Sequence, residues 1–99
     1  MARNKIMARQ DIKIREELFT ILSRYLMQGV EPMGIVRYVI CNDFYSLAEA
    51  CKSPEDFAEA QRIYEWLQIN GTVDGIRAWG NKAIMYRYLD VAEQPLNTK

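Results

Sequence analysis

The sequence contains no histidine, and it has few cysteines, glycines and prolines. Histidine is the usual acid–base group at neutral pH and a frequent nitrogen ligand of metals, so its absence argues against catalysis and metal binding. The five glycines are isolated and form no glycine-rich loop that could hold a phosphate. Glu55, Asp56 and Glu59 are close in sequence, but at the start of a helix such acids complement the helix dipole. We therefore expect no enzymatic activity, no cofactor and no metal.

Net charge and long hydrophobic runs are also lacking. The 13 basic and 13 acidic residues cancel, which argues against capture of nucleic acid or anionic membrane by overall charge. No apolar run approaches the ~20 residues of a membrane span, and the first residues lack the apolar centre of a signal peptide. Cys41 and Cys51 have no metal-binding spacing and are expected to be buried and reduced. We expect a cytoplasmic protein with no membrane partner.

The most apolar part of the chain is Val30–Cys51, which only four charged residues interrupt. A proline suits the first turn of a helix, so a helix is predicted to start near Glu31 or Pro32. One broad face of this stretch is apolar and is expected to be covered by the rest of the fold; it comprises Val36, Val39, Ile40, Phe44, Leu47 and Cys51.

A break is predicted within this stretch at Asn42-Asp43. Ser46 and Glu49 have the spacing of a capping box, which would restart the chain as a second, shorter helix.

Amphipathic helices are predicted on both sides of the apolar stretch. The first covers about Arg9 to Gln28, with Gly29 as its stop. Its apolar stripe consists of Ile14, Leu18, Ile21, Leu22, Tyr25 and Leu26. The second starts at Ser53-Pro54 and runs to about Gln68. Its predicted inward side chains are Phe57, Ala60, Ile63, Tyr64 and Leu67, and Asn70-Gly71 is expected to end it.

The last third of the chain has two interpretations. Thr72-Val73-Asp74 could cap a short helix, followed by a second helical segment. Alternatively, Gly80-Asn81 is a two-residue turn that would close a hairpin within residues 76–89. We favour the helix because a lone hairpin is marginally stable. The prediction is a single all-α domain over residues 1–99, a compact bundle of four or five helices with the small C-terminal β-hairpin as an alternative, and with residues 1–8 and 94–99 flexible.

Nucleic-acid binding is the second functional hypothesis. Residues 46–68 resemble a helix-turn-helix in outline, and a following hairpin would make it winged. The helix that would enter the groove carries a net charge of −3, which opposes approach to phosphates. The basic segment Met1–Arg15, with a net charge of +4, and the residues from Arg77 to Tyr88 are the alternative contacts.

Protein binding is the first hypothesis. Residues 31–69 carry seven acids against three bases, and six tyrosines, two tryptophans and five methionines supply side chains enriched at interfaces. We expect a non-catalytic regulator, inhibitor or adaptor that binds another protein and forms a homodimer; size and plain composition suggest an accessory protein of a phage or plasmid. The predicted partner-binding residues are Trp66, Arg77, Trp79, Lys82, Tyr86, Arg87, Tyr88, Glu55 and Glu59.

Overall fold

The computed structural model describes the backbone of residues 12–97 and the side chains of residues 12–92. Within this range the chain forms five helices and one two-stranded antiparallel sheet, which confirms the predicted helical bundle with a small hairpin. The elements are α1 (Glu16–Gln28), α2 (Gly34–Ile40), α3 (Phe44–Ala50), α4 (Pro54–Asn70), β1 (Thr72–Val73), β2 (Ile76–Arg77) and α5 (Lys82–Asn97). Residues 1–8, predicted to be a flexible basic arm, lie outside the described residues.

Helix α1 ends as predicted but begins later than predicted. Gly29 closes it with a left-handed φ of 70°, and its N–H donates to the carbonyl of Tyr25. Residues 12–15 are not helical, so the predicted start near Arg9 is wrong for this part of the chain. The reason is a tertiary contact: the Arg15 N–H donates to Glu59 Oε1 at 2.9 Å, and its guanidinium lies 3.5 Å from Asp56.

The apolar stretch forms two short helices rather than one. The predicted start at Glu31 or Pro32 is wrong, because Gly34 has a φ of 64° that a helix begun at Pro32 would not contain. The predicted break is confirmed: Asn42 is left-handed, with a φ of 57°, and separates α2 from α3. The residue that caps the start of α3 is Asp43 rather than Ser46, because Asp43 Oδ1 accepts the Ser46 N–H at 3.1 Å.

Helix α4 starts at the predicted position. Ser53 Oγ accepts the Asp56 N–H at 3.3 Å, and Asp56 Oδ2 accepts the Lys52 N–H at 2.8 Å, so side chains satisfy two backbone donors. The helix ends at Asn70, as predicted. A Cβ at Gly71 would collide with the Trp79 indole, so the glycine lets this ring lie against the end of α4.

The hairpin lies earlier in the chain than predicted. Thr72 pairs with Arg77, and Val73 with Ile76, around a turn at Asp74-Gly75. Both turn residues have positive φ, as the common two-residue hairpin turn requires. The predicted short helix beginning at Thr72 is therefore wrong, and so is a hairpin turn at Gly80-Asn81.

The segment after the hairpin is helical, which confirms the favoured interpretation. Asn81 caps α5, because its Oδ1 accepts the Ile84 N–H at 2.8 Å. The helical backbone continues to Asn97. The flexibility of residues 94–99 stays a prediction. Pro95 lies in the last turn, where it removes a single backbone donor.

Two buried tyrosines connect distant parts of the core. Tyr25 of α1 donates its hydroxyl to the Ala78 carbonyl, and Tyr88 of α5 donates to the Leu26 carbonyl, both at 2.6 Å. The two ring centroids lie 5.1 Å apart. Burial raises the pKa of both hydroxyls, which therefore stay protonated and remain donors. These bonds hold α1, α5 and the segment after β2 together.

Helices α2 and α4 form the other half of the core. Its fully covered side chains are Val36, Val39, Ile40, Ala60, Ile63 and Leu67. Every buried side-chain nitrogen or oxygen in the described part of the chain has a hydrogen-bond partner. The core therefore carries no unsatisfied polar side chain there.

We expect Tyr25→Phe to lower the free energy of unfolding by about 1–3 kcal/mol, because it leaves the buried Ala78 carbonyl without its donor. Urea denaturation followed by circular dichroism measures this loss. The control is Tyr45→Phe, since Tyr45 is 77% exposed and should change stability by no more than about 0.5 kcal/mol. Equal stability of the two variants would contradict a structural role for the Tyr25 hydroxyl.

Candidate functional site: an apolar groove between α3 and α4

An apolar groove of about 470 Å³ runs between α3 and α4. Its lining residues are Phe44, Leu47 and Ala48 from α3, and Phe57, Gln61, Tyr64 and Gln68 from α4. The rings of Phe44 and Phe57 are 65% and 50% exposed, and Tyr45 is exposed nearby on α3. Large aromatic rings left in water at one place are typical of a binding surface.

The position of Phe44 in the groove is fixed by Tyr64. The two rings stack with centroids 6.0 Å apart and 28° between their planes. The Tyr64 hydroxyl donates to Asn42 Oδ1 at 3.1 Å, and its ring also meets Trp79 edge-on at 6.1 Å. Burial raises the pKa of Tyr64, so it stays a neutral donor. Tyr64 therefore forms a fixed wall on which the exposed Phe44 ring rests.

The apolar spacing predicts Phe44 and Phe57 on inward faces, and both predictions are wrong. The turn at Asn42 and Asp43 gives α3 a new direction, so Phe44 no longer continues the buried face of α2. Phe57 lies at the edge of the apolar side of α4, whose centre is occupied by Ala60, Ile63 and Leu67. The spacing of apolar residues assigns both rings to a face but carries no signal that another element covers that face.

The lining of the groove contains no charged residue, and the acids of the two helices lie outside it. Glu65 follows Gln61 by four residues and precedes Gln68 by three, so it lies on the outer side of the groove on α4. Glu49 is exposed on α3, four residues after Tyr45. Neither acid forms an ion pair with any residue that the structure describes.

One base lies between the two helices. Lys52 occupies the turn from α3 to α4, and its Nζ donates to the Glu49 carbonyl at 2.9 Å. Arg62 of α4 is paired with Glu59, 2.9 Å away.

Three of the predicted partner-binding residues lie on α4 but away from the groove. Glu59 accepts hydrogen bonds from the backbone of Arg15 and from Arg62. Trp66, seven residues further on, meets Phe19 of α1 edge-on at 5.6 Å. Glu55 is exposed one turn before Glu59. These residues form the side of α4 that faces α1.

A second group of predicted residues lies around the hairpin and the start of α5. Arg77 Nε donates to the Trp79 carbonyl at 2.7 Å, and the guanidinium lies 5.3 Å from the Trp79 ring centroid. Arg77 and Arg87 line the same concavity of about 260 Å³, together with Ile76 and Ile84. Lys82 is exposed at the first position of α5.

The two predicted tyrosines of α5 have different environments. Tyr86 is partly exposed and accepts a hydrogen bond from Arg37 at 3.0 Å, and it donates to Glu31 at 3.3 Å. The hydrogen bond from Arg37 lowers the pKa of Glu31, so this carboxylate stays charged. Tyr88 is only 5% exposed, so its prediction as a partner-binding residue is wrong: its ring fills the core. The nine predicted residues thus do not form one surface.

The two cysteines are free thiols, Cys51 buried and Cys41 partly buried. Burial raises the pKa of both, and Cys41 Sγ lies 3.6 Å from Met85 Sδ. Among residues 12–92, whose side chains the structure describes, no three metal-binding side chains cluster. None of the described helices is both long and apolar enough to cross a membrane.

Comparison with known proteins assigns the chain to no family. Neither the protein-family models, nor the curated proteins, nor the solved structures compared with the chain match it. The function is therefore argued from the residues and geometry of the groove.

We expect Phe57→Ala to cost about 1 kcal/mol or less in unfolding free energy, because half of the ring already lies in water. Its neighbour Leu47 is 3% exposed, and Leu47→Ala should cost about 2–5 kcal/mol. Urea denaturation of both variants gives the comparison. If the two losses are equal, Phe57 is a core residue and the groove is not an open surface.

Proposed function

We propose that this protein is a small non-catalytic regulator, inhibitor or adaptor that binds another protein through the groove between α3 and α4. The observation that carries this proposal is the pair of exposed phenylalanines, Phe44 and Phe57, on an apolar groove whose wall is held by Tyr64. Aromatic anchors with fixed positions contribute strongly to interfaces, because they bury much area and lose little conformational freedom on binding.

The exposed rings are more useful to an interface than to the fold. Covering the exposed parts of Phe44, Tyr45 and Phe57 with a partner would contribute about 1–2 kcal/mol for each ring. Gln61 and Gln68 add amide groups at the same groove, and these can orient a partner by hydrogen bonds. An apolar centre with a polar edge is the usual composition of a protein interface.

The wider hypotheses from the sequence stay predictions. They are cytoplasmic location, formation of a homodimer, and a place among the accessory proteins of phages or plasmids. The lack of histidine in the sequence supports a role without catalysis.

We expect immobilised wild-type protein to capture a specific protein from a nuclease-treated bacterial lysate, and Phe44→Ser/Phe57→Ser to bind it at least about tenfold more weakly. The physical reason is the loss of both aromatic anchors from the groove. The captured protein is identified by mass spectrometry, and its affinity for each variant is then measured by titration.

The matched control for this experiment is Phe19→Ser. Phe19 is also partly exposed, but it lies on α1 against Trp66, away from the groove. The control should capture the same protein as the wild type. Equal capture by the groove variant would show that another surface binds the partner, and capture that disappears with nuclease would show a nucleic-acid bridge.

Nucleic-acid binding is the second candidate, and one observation favours it: Arg77 and Arg87 line the same concavity. The hairpin β1–β2 also follows α4 directly, as a wing follows a recognition helix. Against this candidate, α4 carries the exposed Glu55 and the half-buried Glu65, which phosphates would repel. Protein binding therefore ranks first.

We expect the wild-type protein to show no salt-dependent binding to a fluorescent random-sequence DNA duplex in anisotropy titrations. Binding that weakens steeply as salt rises, and that Arg77→Ala/Arg87→Ala abolishes, would place nucleic-acid binding first. Arg24→Ala is the control, because Arg24 is exposed on α1 and lines no shared concavity with the other two arginines.

A further inference from the structure

We propose that the concavity between the hairpin and α5 binds a carboxylate that is carried on an apolar group. The concavity has a volume of about 260 Å³, and its lining residues are Gly75, Ile76, Arg77, Ile84 and Arg87. It shares no lining residue with the groove between α3 and α4. The inference therefore goes beyond the proposed function and adds a second binding site.

The two arginines of this concavity differ from three other arginines of the chain. Those three each pair with a carboxylate: Arg15 with Asp56, Arg37 with Glu31 and Arg62 with Glu59. Arg77 and Arg87 form no ion pair among residues 12–92, whose side chains the structure describes. Two guanidiniums that line one concavity repel each other, and an anion bound between them would offset this repulsion.

Arg77 is held in place by its neighbours in the chain. Its Nε donates to the Trp79 carbonyl at 2.7 Å, and its guanidinium lies 5.3 Å from the centroid of the Trp79 ring. Gly80 leaves room for this group, because a Cβ there would come within 3.3 Å of Arg77 Nη2. The other N–H donors of a guanidinium are on its two terminal nitrogens, which can bind both oxygens of a carboxylate. A guanidinium that is already fixed loses little freedom when it binds an anion.

Arg87 reaches the same concavity from α5. It follows Ile84 by three residues, so both side chains lie on one face of the helix. Lys82 comes two residues before Ile84 and therefore lies on another face of α5. Asp90, three residues after Arg87, lines a separate concavity together with Glu31. The Arg87 side chain is exposed and accessible to a ligand.

The charges at the concavity fit a ligand with a single negative charge. The lining contains two bases and no acid. Asp74 precedes Gly75 in the hairpin turn; it is exposed and forms no ion pair with any side chain that the structure describes. Two guanidiniums and one neighbouring carboxylate leave a net charge of +1. A carboxylate neutralises this charge, whereas a phosphate monoester carries more negative charge than the site can balance.

The size and the apolar side chains of the concavity define the rest of the ligand. A volume of about 260 Å³ is several times the ~30 Å³ that a water molecule occupies in the liquid, so a carboxylate alone would leave much of the space unfilled. Ile76 and Ile84 are half-buried, and an apolar group beside the carboxylate would cover part of their remaining exposed area. Pockets that enclose drug-sized molecules are usually larger, about 300–1,000 Å³. The ligand is therefore a small organic acid or the carboxyl end of a polypeptide.

The test titrates ¹⁵N-labelled protein with N-acetyl-leucine and with N-acetyl-leucine amide, followed by NMR. We expect the acid to bind at least about tenfold more tightly than the amide in low salt, because only the acid can accept charge-assisted hydrogen bonds from the guanidiniums. The largest shift changes are expected at the backbone amides of Gly75, Ile76 and Ile84, which line the concavity. Acetate should bind more weakly than N-acetyl-leucine, because it lacks the larger apolar group.

Variants of the arginines locate the site. Arg87→Gln should weaken binding of N-acetyl-leucine by at least about tenfold, and the fold should stay intact because Arg87 is exposed. Arg77→Gln should have the same effect, and circular dichroism checks that the fold survives the loss of the contacts with Trp79. The control Arg24→Gln removes an exposed arginine from α1 and should leave the affinity unchanged.

A second comparison identifies the source of the carboxylate. A short peptide with a free C-terminal leucine is titrated beside the same peptide with an amidated end. If the free peptide binds about tenfold more tightly than N-acetyl-leucine, the site takes the end of a polypeptide. If the two bind equally, the site takes a small organic acid. Either result supports a carboxylate site.

Three outcomes would overturn the inference. They are equal affinity for N-acetyl-leucine and its amide, unchanged binding of the acid by Arg87→Gln, and binding of phenyl phosphate at least about tenfold more tightly than N-acetyl-leucine. The last result would assign the two arginines to a phosphate. Phe44→Ser/Phe57→Ser should keep the affinity for the acid, because these residues line the other site. Failure of this inference is therefore distinguishable from failure of the groove as a protein-binding surface.

Discussion

The turn between α2 and α3 is the constraint on which the candidate site depends. A helix continued from α2 would place Phe44 four residues after Ile40, on the same buried face. The left-handed conformation of Asn42 prevents this continuation, and Asp43 restarts the helix by accepting the Ser46 N–H. Phe44 then points to α4 rather than to the core of the bundle. One turn thus changes an apolar core stretch into a core segment and a surface segment.

Helix α4 serves both segments because it has two apolar sides. Ala60, Ile63 and Leu67 face the core, while Phe57 borders the groove. Tyr64 lies between these sides: it stacks on Phe44, and its hydroxyl donates to Asn42 in the turn before α3. The residue that forms the wall of the groove therefore also contacts the turn that creates the groove. This link couples the shape of the site to the local backbone conformation.

Local chemistry made several features predictable from the sequence. Gly29 and Ser53 mark the end of α1 and the start of α4, because a left-handed stop and a side-chain cap need only nearby atoms. The hairpin turn at Asp74-Gly75 is equally local, because Asp-Gly is a common two-residue hairpin turn. The prediction placed the turn at Gly80-Asn81 instead. The groove was not predictable in this way, since the exposure of Phe44 depends on how the chain leaves Asn42. Periodicity alone assigns an apolar ring to a face but does not say whether another helix covers it.

The core and the groove are held by different interactions, and this separation has a functional consequence. Tyr25 and Tyr88 fix α1 and α5 through buried hydrogen bonds and a ring contact, far in sequence from Phe44 and Phe57. The two phenylalanines leave much of their area in water, so they contribute less to folding than equally large buried side chains. Substitutions at Phe44 and Phe57 are therefore expected to leave the fold intact, because Tyr25 and Tyr88 hold the core. The groove holds two of the exposed large apolar side chains, whereas Met27, Val30 and Met33 are exposed outside its lining.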